Sequence, residues 1–188
     1  MGRIVVTEFV SLDGVMEDPG GSENFEHGGW SFKISRGEEG DKFKLDESLA
    51  SDALLLGRVT YEGFAEAWPS REGEFADKFN GMPKYVVSST LENPAWSNST
   101  VLAGDLADEV ERLKGEHGGD VVVHGSASLV QGLIEHDLVD ELRLMVFPVV
   151  LGSGKRLFGE TSDMKALRLV DSKVVGDGVA ILTYQPAR

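Results

Sequence analysis

The sequence contains no cysteine, and this absence excludes several kinds of chemistry. A chain without thiols forms no disulfide bond, offers no thiolate to a metal ion and has no cysteine nucleophile. The sequence also lacks any apolar run close to the roughly 20 residues that a membrane-spanning helix needs. Its first ten residues, MGRIVVTEFV, carry one basic residue and no small-residue cleavage site, which is not typical of a signal peptide. A cytoplasmic location is therefore expected.

Basic residues are scarce. Lysine and arginine number 18 against 32 aspartates and glutamates, which gives a net charge of −14. Such a chain repels nucleic acid and anionic membranes at long range, so neither is expected as a partner. A polyanionic small molecule would bind only where backbone dipoles and a few basic side chains make the potential locally positive.

The remaining composition is that of an ordinary globular protein, with 41% hydrophobic and 27% charged residues. The length of 188 residues suits one domain, 1–188, with a substantial core. No internal repeat or long linker divides it. The longest irregular region, 12–40, is rich in glycine and acidic residues, and a loop of that length in a compact domain is usually functional.

Short apolar runs alternate with helical patterns through most of the chain. The runs resemble strands covered on both faces, and they occupy residues 3–10, 52–57, 84–89 and 120–125. Apolar spacing predicts helices over 105–117 and 126–136, and Leu45 and Leu49 suggest another before the second strand. This βαβ alternation predicts an α/β fold with a largely parallel sheet and helices on its faces.

The last fifty residues have a different pattern. A long run over 140–151 alternates in part between apolar and polar residues. The segments 167–175 and 179–184 flank Gly176-Asp177-Gly178, which is typical of a hairpin turn. The sheet is therefore predicted to be mixed, with an antiparallel hairpin at the C-terminus.

Three predicted strands end in small or hydroxylated residues where a helix or turn begins. These residues are Gly57, Arg58 and Thr60, then Ser88 and Ser89, then Gly125, Ser126 and Ala127. In open α/β sheets, ligands bind outside the carboxyl ends of the strands, where helix N-termini offer free N–H groups. The pattern favours an anion-binding cleft. Each position also has a structural alternative: a turn glycine, an N-cap serine or a surface arginine.

The chain resembles the dihydrofolate reductase-like proteins, most closely the group related to the reductase domain of bacterial riboflavin biosynthesis. The resemblance covers almost the whole chain. It rests on SLDG (11–14), LLLGRVTYEGF (54–64), KYVVSST (84–90), VVVHGSASLVQGLIEHDLVDELRLMVFPVVLGSGKRLF (121–158) and the terminal hairpin, in that order. It implies a three-layer α/β fold, an NADPH-dependent reductase and a homodimer.

The resemblance also implies which residues hold NADPH. Arg58 and Thr60 would serve its phosphates, and Arg58 would favour a 2′-phosphate through a forked, charge-assisted contact. Ser88 and Ser89 would lie beside the adenosine. The pyrophosphate would lie at a turn formed by Gly125, Ser126 and Ala127, and Gly57, in the segment of Arg58 and Thr60, would also belong to the cofactor site. This turn, in HGSAS, has fewer glycines than is common in dihydrofolate reductases.

On the substrate side, the resemblance places Asp13 beside the nicotinamide, where it would orient substrate or relay a proton. Its alternative is an ordinary Asp-Gly turn. Trp30 would help to cover the active site. Lys155 would meet an anionic group of the substrate, or would simply belong to a solvated basic turn. No metal is expected, because the histidines lack the spacing of a metal site.

The resemblance therefore predicts hydride transfer to a small heterocyclic or ribosylamino-pyrimidine-like substrate, as in 5-amino-6-(5-phosphoribosylamino)uracil reductase. Folate is a poor candidate, because no acidic residue follows Trp30 at a matching place. One alternative is a reductase of a pterin or of another carbonyl or imine compound. Another is a nucleotide-binding regulatory domain without turnover, which would keep the phosphate contacts of Arg58 without a role for Asp13.

Overall fold

Eight strands form one sheet in this computed structural model, which describes residues Met1–Arg188. The strands are β1 (Arg3–Ser11), β2 (Ser51–Gly57), β3 (Lys84–Val87), β4 (Ser99–Leu102), β5 (Asp120–His124), β6 (Glu141–Phe147), β7 (Leu167–Val175) and β8 (Val179–Pro186). They lie in the order β4-β3-β2-β5-β1-β6-β8-β7. The first six pair in parallel, and β8 is antiparallel to both β6 and β7. The predicted mixed sheet with a C-terminal antiparallel hairpin is confirmed.

Helices cover both faces of this sheet, which is why its central strands are apolar on both sides. They are α1 (Gly37–Ala50), α2 (Arg58–Ala67), α3 (Glu74–Gly81), α4 (Leu106–Glu116) and α5 (Ala127–Glu135), with a 3-10 helix at Trp30–Lys33. On one face α4 and α5 pack on the largest apolar cluster. On the other face, α2 and α3 pack on an aromatic-rich cluster and α1 lies beside α3. None of these helices is long and apolar enough to cross a bilayer.

The sheet order brings the predicted strand ends together. Strands β3, β2 and β5 are neighbours, so their carboxyl ends lie side by side, and β1 follows directly. From β1 the chain passes to β2 on one side of β5, whereas from β5 it passes to β6 on the other side of β1. Such a reversal opens a crevice outside the carboxyl ends of the strands, where ligands of α/β sheets bind.

Candidate active site

The turn between β5 and α5 is tied directly to the end of β2. The Ser126 hydroxyl donates a hydrogen bond to Thr60 Oγ1 at 2.9 Å and accepts one from the Gly57 backbone N–H at 2.9 Å. Gly125 and Ser126 both have left-handed backbones, with φ of 68° and 61°. A Cβ added at Gly125 would lie 2.7 Å from Thr60 Oγ1, and one added at Gly57 would lie 2.3 Å from Ser126 Oγ. Both positions therefore require glycine, because the neighbouring side chains of Thr60 and Ser126 lie too close for a Cβ atom.

Helix α5, which starts at this turn, and helix α2, which starts at the end of β2, lack side-chain caps. Helix α4, away from this turn, is capped by Asp105, whose carboxylate accepts the N–H groups of Ala107 and Asp108. Helices α2 and α5 have no such cap, and neither have α1 and α3. The Ser126 hydroxyl, at the N-cap of α5, is used instead to join β2. No side chain therefore caps the N–H groups in the first turn of α5, which begins at Ala127, and uncapped groups of this kind can bind an anion.

Arg58 lies at the first position of α2 with its side chain 44% exposed. Its guanidinium donates to both carboxylate oxygens of Glu62, at 3.1 and 3.2 Å. An exposed pair one helical turn apart contributes little stability. The guanidinium can therefore exchange this carboxylate for a phosphate at small cost.

The turn after β3 places the two predicted serines differently. The Ser88 hydroxyl accepts the backbone N–H groups of Thr90 and Leu91 at 3.2 and 3.0 Å, so it already stabilises its own turn. The side chain of Ser89 is exposed. Of the two hydroxyls, only that of Ser89 is free of a local backbone contact.

Asp13 follows β1, and its carboxylate accepts three hydrogen bonds. Its Oδ1 accepts the Ser11 hydroxyl at 2.5 Å and the Leu151 N–H at 3.2 Å, and its Oδ2 accepts the Gly152 N–H at 2.9 Å. The Arg156 guanidinium donates to the Asp13 carbonyl oxygen. The hydrogen bonds, that from Ser11 first, lower the pKa of Asp13 to about 2. The group therefore remains ionised, which does not suit a proton relay; its contact with substrate stays a prediction.

Trp30 is a core residue in this structure. It is 1% exposed, its ring packs edge-on against Phe147 at 5.5 Å, and its indole N–H donates to the Glu17 carbonyl at 2.8 Å. The prediction that Trp30 covers the substrate needs correction here, because the 3-10 helix turns this ring into the sheet. The exposed aromatic side chain of that helix is Phe32.

Lys155 is exposed in the turn after β6, and its charge acts on the carboxylate of Glu23 in the long loop. Its backbone carbonyl accepts the Met16 N–H at 2.8 Å, which anchors this turn beside the end of β1. Lys155 therefore lies close to the segment that follows β1. Its contact with an anionic substrate group remains a prediction.

A buried charged network beneath α1 is a feature that the sequence analysis missed. Lys44 Nζ donates to Thr7 Oγ1 at 2.8 Å and forms an ion pair with Glu47 at 2.7 Å. Glu47 also contacts Arg143 at 3.3 Å, and Arg143 reaches Asp120 at 3.0 Å. The sheet brings these groups together, because Thr7 in β1 pairs with Arg143 in β6 and with the last residue of β5. Polar residues inside otherwise apolar strands were the signal that could have revealed them.

Two further titratable groups lie near this network: Glu8, in β1 just beyond its pairing with β5, and His124, the last residue of β5. Glu8 is 7% exposed, and its Oε1 has no hydrogen-bond partner. Burial raises its pKa to about 8. Burial, with the charge of Lys44, lowers the pKa of His124 to about 3, so this imidazole is neutral. Its ring lies 5.2 Å from that of Phe79.

A groove of about 590 Å³ lies along α1, and Glu47 and Arg143 of the charged network form part of its lining, together with Lys173 of β7. Three basic side chains and three acidic side chains line it. Lys42 pairs with Asp46 there, and Arg143 pairs with Glu47. Because these charges balance, the groove has no evident preference for an anion, and the strand ends remain the better candidate.

The chain is similar to known proteins over nearly its full length. The family described as the RibD C-terminal domain matches residues 3–181. YyaP of Bacillus subtilis (strain 168) is 29% identical over 187 residues, which cover 97% of this chain and 94% of YyaP. YwjB of the same organism is 30% identical over 172 residues, which cover 92% of this chain and 91% of YwjB.

Solved structures share the fold. A Shewanella sp. PV-4 structure named as a riboflavin biosynthesis protein superposes with a TM-score of 0.81 at 22% identity, covering 99% of each chain. Dihydrofolate reductase from Enterococcus faecalis, in complex with NADP(H) and RAB-propyl, superposes with a TM-score of 0.60 at 14% identity. That match covers 99% of this chain and 97% of the reductase. The fold is therefore dihydrofolate reductase-like, and the family match identifies the chain as a member of the RibD C-terminal domain family.

Proposed function

We propose that this protein is an NADPH-dependent reductase of a small heterocyclic or ribosylamino-pyrimidine-like compound. The observation that carries the proposal is the junction of Gly57, Thr60 and Ser126 beside two uncapped helix N-termini. Free N–H groups and a positive dipole end favour phosphate. In so acidic a chain, this local arrangement offers the positive potential that a dinucleotide needs.

The residues at the junction suit such a cofactor. The first N–H groups of α5, from Ala127, would hold the pyrophosphate, and the left-handed Gly125 keeps a side chain away from it. Arg58 would leave Glu62 for the 2′-phosphate, and Ser89 would lie near the adenosine. When bound, NADPH supplies a hydride, and the protein supplies position and a dry environment. The NADP(H) in the similar Enterococcus dihydrofolate reductase supports this assignment.

The substrate class is proposed from the relatives. The Shewanella protein is named for riboflavin biosynthesis, which favours a ribosylamino-pyrimidine such as 5-amino-6-(5-phosphoribosylamino)uracil. Lys155, exposed beside the end of β1, would then meet the anionic ribose phosphate. Asp13 would orient this substrate indirectly, by holding the segment at Leu151 and Gly152 that leads to Lys155.

Isothermal titration calorimetry with NADPH and NADH tests the cofactor. We expect tighter binding of NADPH, and we expect Arg58→Ala to remove most of that preference because the 2′-phosphate loses its guanidinium. Arg112→Ala is the matched control. Arg112 is 46% exposed and pairs with Glu109 and Glu116 on α4, so its loss should leave binding unchanged. Failure of folded protein to bind either nucleotide would contradict the proposal.

Turnover is tested separately, by following NADPH oxidation with a ribosylamino-pyrimidine, dihydropterin and dihydrofolate in turn. Oxidation with the first compound alone supports the proposed substrate class. A nucleotide-binding domain without turnover is the second candidate, and the engagement of Asp13 by three donors favours it. That candidate predicts nucleotide binding with no oxidation on any of the three compounds.

A further inference from the structure

Glu8 lies near the charged network but pairs with none of its members. Three basic groups of this network face three acidic groups, and every one of the six is ion-paired; they are Arg3, Lys44 and Arg143 with Glu47, Asp120 and Glu141. An ionised Glu8 would be a fourth buried negative charge without a partner. Because an unpaired buried charge is very unfavourable, Glu8 retains its proton in the folded protein.

The surroundings of Glu8 set its protonation. From α1, the positive charge of Lys44 lowers its pKa and the negative charge of Glu47 raises it. From the turn before α5, the Gly125 N–H lowers it, and the neighbouring His124 is uncharged. Burial outweighs these effects and brings the pKa to about 8. The carboxyl group is thus mostly protonated at neutral pH.

The position of Glu8 connects it with the proposed cofactor site. Thr7 is the last residue of β1 that pairs with β5, so Glu8 is the first residue beyond that pairing. It lies where β5 turns at Gly125, the turn proposed to hold the pyrophosphate. Its Oε1 is buried and makes no hydrogen bond. A buried carboxyl oxygen without a partner needs an explanation, and a ligand that entered beside the proposed cofactor turn could supply the missing partner.

We propose that the Glu8 carboxyl group is the proton donor of the reduction. This inference rests on the proposed function. Reduction of a C=N or C=O bond adds a hydride, which NADPH supplies with both electrons, to the carbon. As the π electron pair moves onto the nitrogen or oxygen, Glu8 gives that atom its proton, and the carboxylate left behind regains a proton from water. The sum is NADPH, one proton and the unsaturated substrate giving NADP⁺ and the saturated product.

Two neighbouring groups are unsuited to this step. Asp13 has a pKa of about 2 and accepts three donors, so at neutral pH it carries no proton to give. The neutral His124, with its lowered pKa, holds only a weakly acidic N–H. Among these three residues, Glu8 alone combines a proton that can be transferred with a position at the proposed site.

The test measures protons released on nucleotide binding and needs no substrate. Calorimetry at pH 7 in two buffers of different ionisation enthalpy gives the proton release for NADP⁺ and for NADPH. The positive nicotinamide ring of NADP⁺ should lower the pKa of a nearby carboxyl group, whereas the neutral ring of NADPH should not. We expect NADP⁺ to release more protons than NADPH, by a difference approaching one. Glu8→Gln, which mimics the protonated acid, should abolish the difference while both nucleotides still bind.

Glu141→Gln is the matched control, since Glu141 is also buried but lies at the amino end of β6 and is paired with arginines. It should retain the difference. Equal proton release for the two nucleotides in the wild type would overturn the role of Glu8 alone. Failure to bind either nucleotide would overturn the proposed function, and this inference with it.

A second measurement covers the case in which Glu8→Gln does not fold. Carbon-13 NMR of wild-type protein labelled at glutamate carboxyl carbons follows each titration directly. The Glu8 resonance, assigned with Glu8→Asp, should titrate near neutral or slightly basic pH. A midpoint below pH 5 would overturn the proposal, because Glu8 would then hold no proton to donate.

Discussion

The carboxylate of Asp13 holds two distant segments of the chain together next to the end of β1. Asp13→Asn should destabilise the protein by about 1–2 kcal/mol, because the Leu151 and Gly152 N–H groups would lose a charged acceptor. Urea unfolding at pH 7 measures this loss. Asp171→Asn, a change at an exposed aspartate of β7, is the control and should be neutral.

The same contact has a defined pH dependence. The pKa of Asp13 is lowered from 3.8 to about 2 in the folded protein. The stability that this carboxylate contributes is therefore fully present above pH 3.8 and is lost as the pH falls through about 2. Equal acid sensitivity of wild type and Asp13→Asn would show that the hydrogen bonds contribute nothing.

For single residues, the sequence predicts which ones belong to the site better than it predicts their contacts. Asp13 could be selected because SLDG follows a strand, but its partners Leu151 and Gly152 lie about 140 positions later. The resemblance predicts that Trp30 helps to cover the active site, and local pattern cannot reveal that a short 3-10 helix turns its ring onto Phe147. Both differences come from long-range packing, which no local window contains.

Gly57 at the end of β2 and Gly63 within α2 form a matched pair of glycines for testing the junction of β2 with α5. A Cβ at Gly57 would lie 2.3 Å from Ser126 Oγ, whereas one at Gly63 meets nothing within 4 Å. Gly57→Ala should displace the start of α5 and weaken NADPH binding at least tenfold. Gly63→Ala, in the interior of α2, should leave binding unchanged and stabilise the fold by about 0.5–1 kcal/mol.

Nucleotide titration and thermal unfolding of both variants check this prediction. Unchanged NADPH binding by a folded Gly57→Ala protein would show that the junction does not shape the cofactor site. A Gly63→Ala protein less stable than the wild type would indicate a steric clash in α2 that the structure does not show.

The strands were predictable at the element scale because strands covered on both faces are continuous apolar runs. Helix α1 was harder to predict, and only Leu45 and Leu49 suggested it. Its buried residues include the polar side chains of Lys44, Glu47 and Ser48. A helix that packs a charged network onto a sheet has little apolar periodicity, so the pattern that reveals α4 and α5 is missing. The residues around Glu8 are also charged rather than apolar, so the hydrophobic pattern of the sequence does not indicate them either.

At the scale of the whole molecule, the resemblance to the family predicts a homodimer. Strand β7 is an edge strand, and its exposed residues include Leu169 and Val174. An apolar edge strand can pair with the same strand of a second copy about a two-fold axis. Sedimentation should therefore show a dimer, and Val174→Lys should convert it to a monomer. Val150→Lys, at an exposed valine outside β7, is the control; a monomeric wild type would contradict the prediction.

The stability of the whole protein should depend on pH through Glu8 and His124, whose effects have opposite signs. The pKa of Glu8 is raised from 4.5 to about 8, so its contribution is complete below pH 4.5 and is lost as the pH rises through 8. The pKa of His124 is lowered from 6.5 to about 3, so its contribution is present above pH 6.5 and is lost as the pH falls towards 3. Between pH 4.5 and 6.5 the two effects oppose each other.

Above pH 6.5 the Glu8 effect stands alone, and this window gives the sharpest test of its buried proton. From pH 6.5 to 8, wild-type stability should fall by about 2 kcal/mol relative to Glu8→Gln, because the folded protein binds a proton there that the unfolded chain does not. Urea unfolding of both proteins at each pH measures the difference. Parallel stability curves would mean that Glu8 is ionised in the folded state. The buried network would then have to accommodate a fourth negative charge, and the source of the transferred proton would lie elsewhere.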